Sequence, residues 1–141
     1  MIPKEVFLSH SSRNRAVADR VAKTLIAHGI PVWYSSKSIA TAAEWLDEIG
    51  LALRRCDWFL VLLSPASVSS KWVKRELSYA LRHGQYDDHV LPVMVKDCDH
   101  ERLSWTLGGF QMARLDGNVE QGYSDILRTW GVGFDPAKMA T

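Results

Sequence analysis

Cysteine is scarce in this sequence, neither sign of charge dominates, and no long apolar run occurs. Two cysteines, Cys56 and Cys98, among 141 residues are too few for a disulfide framework, so a reduced, cytoplasmic setting is expected. The 17 basic and 16 acidic residues leave a net charge of +1, which gives no field to argue for nucleic acid or an anionic membrane as a partner. No apolar stretch approaches the ~20 residues that span a bilayer. The opening MIPKEVFLSHSS lacks the basic start and long apolar run of a secretory signal. Common chemical signatures are missing as well. There is no G-x-G-x-x-G after the first predicted strand, no G-x-x-x-x-G-K-[ST], no G-x-S-x-G and no H-E-x-x-H, which argues against a standard dinucleotide turn, a P-loop, a serine-hydrolase elbow and a zincin. FLSHSS offers none of the clustered acids of a phosphoacceptor receiver. Cys98, Asp99 and His100 do not have zinc-ligand spacing, and no metal is expected.

What is present is ordinary globular material, 47% hydrophobic and 23% charged, enough for one domain with one core. Val6 to Ser9 reads as a buried strand running into the polar loop SHSS. Val17, Val21 and Leu25 then recur at helical spacing, with Ser12 or Asn14 as cap and Gly29 as stop. Ile30 to Tyr34 reads as a strand and Ser35 to Glu44 as a long loop, while Trp45, Ile49, Leu53 and Cys56 mark a second helix. The continuous apolar run from Asp57 to Leu63 suits a central strand covered on both faces. Ser64-Pro65 ends it, and a third helix, capped by Ser70, runs to about His83. Val90 to Val95 is a fourth strand, in which Pro92 suggests an edge or a bulge. Gln111 to Leu115 is a fifth strand and Tyr123 to Trp130 a last helix. Strands alternating with helical connections imply a mainly parallel sheet of about five strands with helices on both faces, a flavodoxin-like three-layer α/β sandwich. Ligands of such sheets bind outside the carboxyl ends of the strands, which here read SHSS, YSSKS and SPAS.

The third helix carries one residue that its own pattern does not explain. Val73, Leu77, Ala80 and Leu81 form its core stripe. Trp72, Glu76, Tyr79 and His83 form a neighbouring stripe, one residue out of phase. Glu76 stands too deep in the helix to complete a capping box with Ser70. The ordinary reading is a surface acid balanced by Lys74 and Arg75. Against it, the helix starts at the carboxyl end of the central strand, and Trp72 offers an apolar wall able to raise the carboxyl's pKa.

The stretches VFLSHSS, GIPVWYSSKSI and DWFLVLLSPASVSSKWVKREL, in that order and spacing, resemble the TIR (Toll/interleukin receptor/resistance) domain over roughly Lys4 to Trp130. The resemblance implies a TIR domain over residues 1–133, with 134–141 a C-terminal tail or linker that could lead into a fused sensor or effector domain. It further implies a glycohydrolase or cyclase that takes NAD as substrate, with no separate cofactor. Glu76 of the W-x-x-x-E motif would be catalytic, Trp72 would shape the pocket, Ser9, His10 and Ser11 would donate to ribose or phosphate, and Lys37 would meet a phosphate. Trp33 and Trp45 are assigned to the core. The expected partners are NAD and other TIR domains, as a homo-oligomer or filament in immune, anti-phage-like signalling. One departure stands out: where the family carries an acidic residue and then Pro-Gly after the second strand, this sequence has Ser35 and no Pro-Gly. A non-catalytic adaptor that signals by TIR–TIR contact is the alternative of a different class. A weaker third is an unrelated nucleoside-modifying enzyme of the same layout.

Overall fold

Short apolar runs become strands here because both of their faces are covered. In the computed structural model, which describes residues 2–35 and 42–141, the strands are β1 (Val6–Ser9), β2 (Val32–Tyr34), β3 (Trp58–Leu63), β4 (Val90–Met94) and β5 (Ala113–Arg114). They form one sheet in the order β2-β1-β3-β4-β5 with every pairing parallel. The helices are α1 (Arg15–Ala27), α2 (Ala42–Arg55), the short α3 (Pro65–Val68), α4 (Lys71–Arg82) and α5 (Val119–Arg128).

The two-residue period of the strands divides the core in two. Val6, Leu8, Leu60, Leu62, Leu91 and Val93 face α1 and α5. Phe7, Phe59, Val61, Leu63 and Met94 face α2 and α4. This is the expected three-layer sandwich. The chain leaves β1 in one direction to form β2 and returns to the other side for β3, so the switch in strand order lies between β1 and β3.

Gly29 ends α1 with φ +85°, a left-handed conformation that glycine adopts without the penalty of a Cβ. Gly122 serves close packing instead, since a Cβ there would collide with the Arg114 carbonyl oxygen where α5 crosses β5.

Several boundaries differ from the sequence reading. A 3-10 turn, Ser12–Asn14, precedes α1, and Ser11 caps it by accepting from the Arg13 N–H. Asn14 makes no side-chain cap bond; its Oδ1 accepts from the Ser64 hydroxyl at 2.6 Å, tying the loop after β1 to the loop after β3. Ser64 and Ser67 form a reciprocal capping box around α3, and Ser70 caps α4 as expected, accepting from the Val73 N–H at 3.2 Å. Helix α2 begins at Ala42, within the stretch expected to be loop, and α5 begins at Val119 because Asn118 caps it.

Pro92 sits in register opposite Val61, in an interior strand without a bulge. The Val95 N–H points to β3, so alternation turns the Pro92 nitrogen toward the β5 side, where pairing starts only at Val93. No ladder hydrogen bond is lost.

Residues 134–141 lie against α1 and α5. Phe134 stacks on His28 at 5.6 Å and on Tyr123 at 6.0 Å. The Asp135 N–H donates to His28 Nε2, and the Ala140 N–H to Thr24 Oγ1, each at 3.0 Å.

Candidate active site

Strand alternation and helix phase bring Ser9 and Glu76 together from opposite ends of a 67-residue separation. Ser9 lies two residues after Phe7, so it points to the same face of the sheet, the face that α4 covers. Val73 and Leu77 hold α4 on that face, and the adjoining stripe carries Glu76 down onto the end of β1. The Ser9 hydroxyl donates to Glu76 Oε1 at 2.7 Å. Glu76 is only 8% exposed and pairs with no cation among the described residues. Burial therefore dominates: loss of water pushes the Glu76 carboxyl up to about 7, against the pull of the Ser9 hydrogen bond.

Glu76 opens into a cavity of about 280 Å³. Three tryptophans, Trp33, Trp45 and Trp72, line its apolar side. The Trp45 and Trp72 rings meet edge to face at 4.4 Å. The Trp45 indole N–H donates to the Ser35 hydroxyl at 2.8 Å, and Trp33 stacks on Phe7 at 5.0 Å. Trp72 is 38% exposed, and the Arg75 guanidinium lies over its ring at 5.1 Å. Trp33 and Trp45, assigned to the core from sequence, are thus cavity walls as well. Strand β2 is short and at the sheet edge, so its side chains are only half covered.

The polar side of the cavity carries His10 and Arg15. His10 Nδ1 lies 2.8 Å from the Ser11 carbonyl oxygen, which only accepts, so Nδ1 carries the proton. Burial holds the His10 pKa below its ordinary value. The positive charge of Arg15 adds to this, while the Ser11 and Ser35 carbonyls oppose it. Nε2 is buried and has no hydrogen-bond partner among the described residues. Ser9 is read differently for one reason: its proton is already given to Glu76.

Ser11 caps the 3-10 turn and faces a second, more polar cavity of about 650 Å³, whose walls include Arg13, Ser64 and Lys96. The two cavities share Ser12 and Ser70 and lie at the carboxyl ends of β1 and β3, where strand order switches. Lys37 falls outside the described residues. No group of His, Cys, Asp and Glu able to hold a metal occurs among the described residues, and none of their helices is long and apolar enough to cross a membrane.

The sequence matches the family model of the TIR domain over residues 6–127. The chain belongs to the TIR domain family. This TIR domain is 26% identical over 92 residues to the NAD(+) hydrolase TcpC of Escherichia coli O6:H1, a match that covers 63% of this chain and 30% of that protein. The chain thus spans under a third of that relative. Among solved structures it is similar to the TIR domain of the Toll-related receptor TRR-2 of Hydra magnipapillata, with a TM-score of 0.71 at 14% identity, covering 88% of this chain and 95% of that one. It is also similar to the TIR domains of the activated Roq1 resistosome, which recognises the pathogen effector XopQ, with a TM-score of 0.57 at 21% identity over 88% and 77% of the two chains. These structural likenesses establish the fold, which is the one expected.

Proposed function

We propose that this TIR domain cleaves the nicotinamide–ribose bond of NAD, with Glu76 as the catalytic residue. The observation that carries the reading is a lone buried carboxyl, raised to about 7, opening into a cavity walled by tryptophan. The bond to be broken joins the ribose C1′ to a cationic pyridinium nitrogen. Both bonding electrons leave with nicotinamide, which departs neutral and needs no proton. That is why one carboxylate suffices, where an ordinary glycosidase needs a second to protonate its leaving oxygen. The ribose becomes oxocarbenium-like, and the Glu76 carboxylate stabilises that charge in a site with little water. The approach of the pyridinium cation favours the ionised form of Glu76, so a carboxyl near 7 is charged when substrate is bound.

The rest of the cavity suits this substrate. The tryptophan faces attract a cationic ring. The two Glu76 carboxylate oxygens accept, which suits the hydroxyls of the ribose diol. At about 280 Å³ the cavity is at the small end of the roughly 300–1,000 Å³ of ligand sites and takes the nicotinamide–ribose half of NAD. Water, or an atom of the same nucleotide, then captures C1′ to give ADP-ribose or a cyclic product. The similarity to an NAD(+) hydrolase supports the chemistry. The similarity to TIR domains of an assembled resistosome supports activation by self-association in immune signalling.

The test is nicotinamide release from NAD by protein clustered on a scaffold, followed by chromatography. Wild type releases nicotinamide, and Glu76→Gln slows this by roughly 100-fold or more while remaining folded. Intact NAD after incubation with folded, clustered wild type, or cleavage by Glu76→Gln at the wild-type rate, overturns the reading.

A further inference from the structure

Arg15 has an unanswered donor beside the Glu76 cavity. It stands at the start of α1, and its side chain lines the cavity with His10 and Ser12. Its Nε is buried and has no hydrogen-bond partner among the described residues. The guanidinium also forms no ion pair among them. A buried, unpaired guanidinium N–H is costly, so the position suits a ligand that brings an acceptor. Arg15's positive charge acts on His10, and Glu76 forms no ion pair among the described residues. Arg15 and Glu76 line the same cavity without pairing with each other.

Each polar group in the cavity calls for a different part of a ligand. Glu76 accepts, and a sugar hydroxyl satisfies it. Arg15 Nε–H donates, and needs a group that accepts and carries negative charge. A phosphate oxygen does both, and guanidinium is the side chain whose geometry best matches one. On a nicotinamide ribotide the phosphate sits one exocyclic carbon from the ring that carries the diol, so an acceptor for the diol and a guanidinium for the phosphate belong in one cavity, as Glu76 and Arg15 are. Beyond the rim formed by Ser12 and Ser70, the second cavity, with Arg13 and Lys96 on its walls, receives the chain that continues from that phosphate.

We propose that Arg15 holds the phosphate attached to the nicotinamide-side ribose, making the site selective for nicotinamide nucleotides over the nicotinamide nucleoside. The proposal rests on the Glu76 cavity being the site of nicotinamide–ribose cleavage. It casts Arg15 as a specificity-determining residue that contacts substrate away from the bond that breaks.

Nicotinamide release from NAD and from nicotinamide riboside is compared for clustered wild type, Arg15→Gln and Arg15→Lys. Removing one charge-assisted contact lowers kcat/KM for NAD by roughly 10- to 100-fold, mostly through KM, and leaves the riboside unchanged. Lys, which keeps the charge but loses the planar fork, restores part of the loss. An equal loss on both substrates, or none on NAD, overturns the assignment, since a merely structural Arg15 affects the two alike. A second readout does not depend on turnover. The Arg15 Nε–H resonance of the unclustered wild-type domain, identified by its absence from the Arg15→Gln spectrum, is followed while ADP-ribose or ribose is added. It shifts to saturation with ADP-ribose and stays put with ribose; a resonance unmoved by ADP-ribose overturns the assignment. If clustered wild type leaves NAD intact, the glycohydrolase reading falls by itself and the resonance still decides the phosphate contact.

Discussion

Two carboxylates in this domain accept a hydrogen bond of the same length from a hydroxyl and end with opposite acidities. Glu76 accepts from Ser9 at 2.7 Å, and Asp19 accepts from Tyr34 at 2.7 Å. Asp19 lies on the open side of α1 and also holds Lys23 at 2.8 Å. Its pKa is lowered, first by Lys23 and then by Tyr34. Glu76 has no cation and almost no water, and burial pushes it up to about 7. The hydroxyl pulls both carboxyls down, so exclusion of water, with no cation to offset it, decides the difference. The same contact that is a surface clasp at Asp19 is, at Glu76, a restraint on a group kept ready to titrate near neutrality.

The largest way to break the comparison is to remove the charge at Glu76. Its folded pKa lies above the ordinary 4.5, so the folded chain holds the proton more tightly than the unfolded one. The stability this confers is full below about pH 4.5 and is lost as pH rises through about 7. Glu76→Gln keeps an acceptor for Ser9 and carries no charge. It therefore exceeds wild type near pH 8 by on the order of 3 kcal/mol and matches it near pH 4, as read by urea unfolding at the two pH values. A variant that releases no nicotinamide yet resists urea better marks a site where stability has been sacrificed for chemistry.

A smaller effect follows from Ser9→Ala. The hydroxyl holds Glu76 down, so its loss moves the carboxyl further up. The acid limb of the kcat–pH profile then shifts to higher pH. An unmoved limb means that Glu76 does not control that titration. Trp72→Ala comes next. It removes the edge-to-face contact with Trp45 at 4.4 Å, worth about 1 kcal/mol, and opens the cavity wall, so KM for NAD rises while Trp72→Phe stays close to wild type. The smallest effect belongs to the exposed pair. Asp19→Asn returns Tyr34 from about 12 toward its ordinary 10, visible by ultraviolet titration, with no measurable change in urea midpoint or nicotinamide release.

Glu76 was legible because two independent patterns meet on it: a helix stripe one residue out of phase with the core, and the W-x-x-x-E motif at the end of the central strand. β3 was legible because a strand covered on both faces needs an uninterrupted apolar run, and Trp58–Leu63 has one. Arg15 went unnoticed, since an arginine in the first turn of a helix is ordinary in sequence. Its significance lies in a buried Nε without a partner, which only packing creates. The Ser9–Glu76 contact joins residues 67 apart. It could have been inferred by carrying the alternation from Phe7 one step further and asking which helix covers that face. Asn14 stands at the N-cap position of α1 as expected but makes no side-chain cap bond, because its competing partner, Ser64, comes from a distant loop. Trp33 and Trp45 are expected in the core because aromatic residues usually lie there; the short edge strand β2 leaves Trp33 half covered, and Trp45, on α2, lines the same cavity.

The folded-back residues 134–141 also settle how the domain can be handled. Their anchors on Thr24 and His28 lie toward the far end of α1 from Arg15, about 14 and 20 Å away at 1.5 Å per helical residue. Strand β1 likewise enters the sheet at Val6, the end opposite Ser9. A tether grafted to either terminus therefore projects from the pole of the molecule opposite the mouth of the cavity. Molecules displayed on a surface through their ends would present that mouth outward, free to meet substrate and one another.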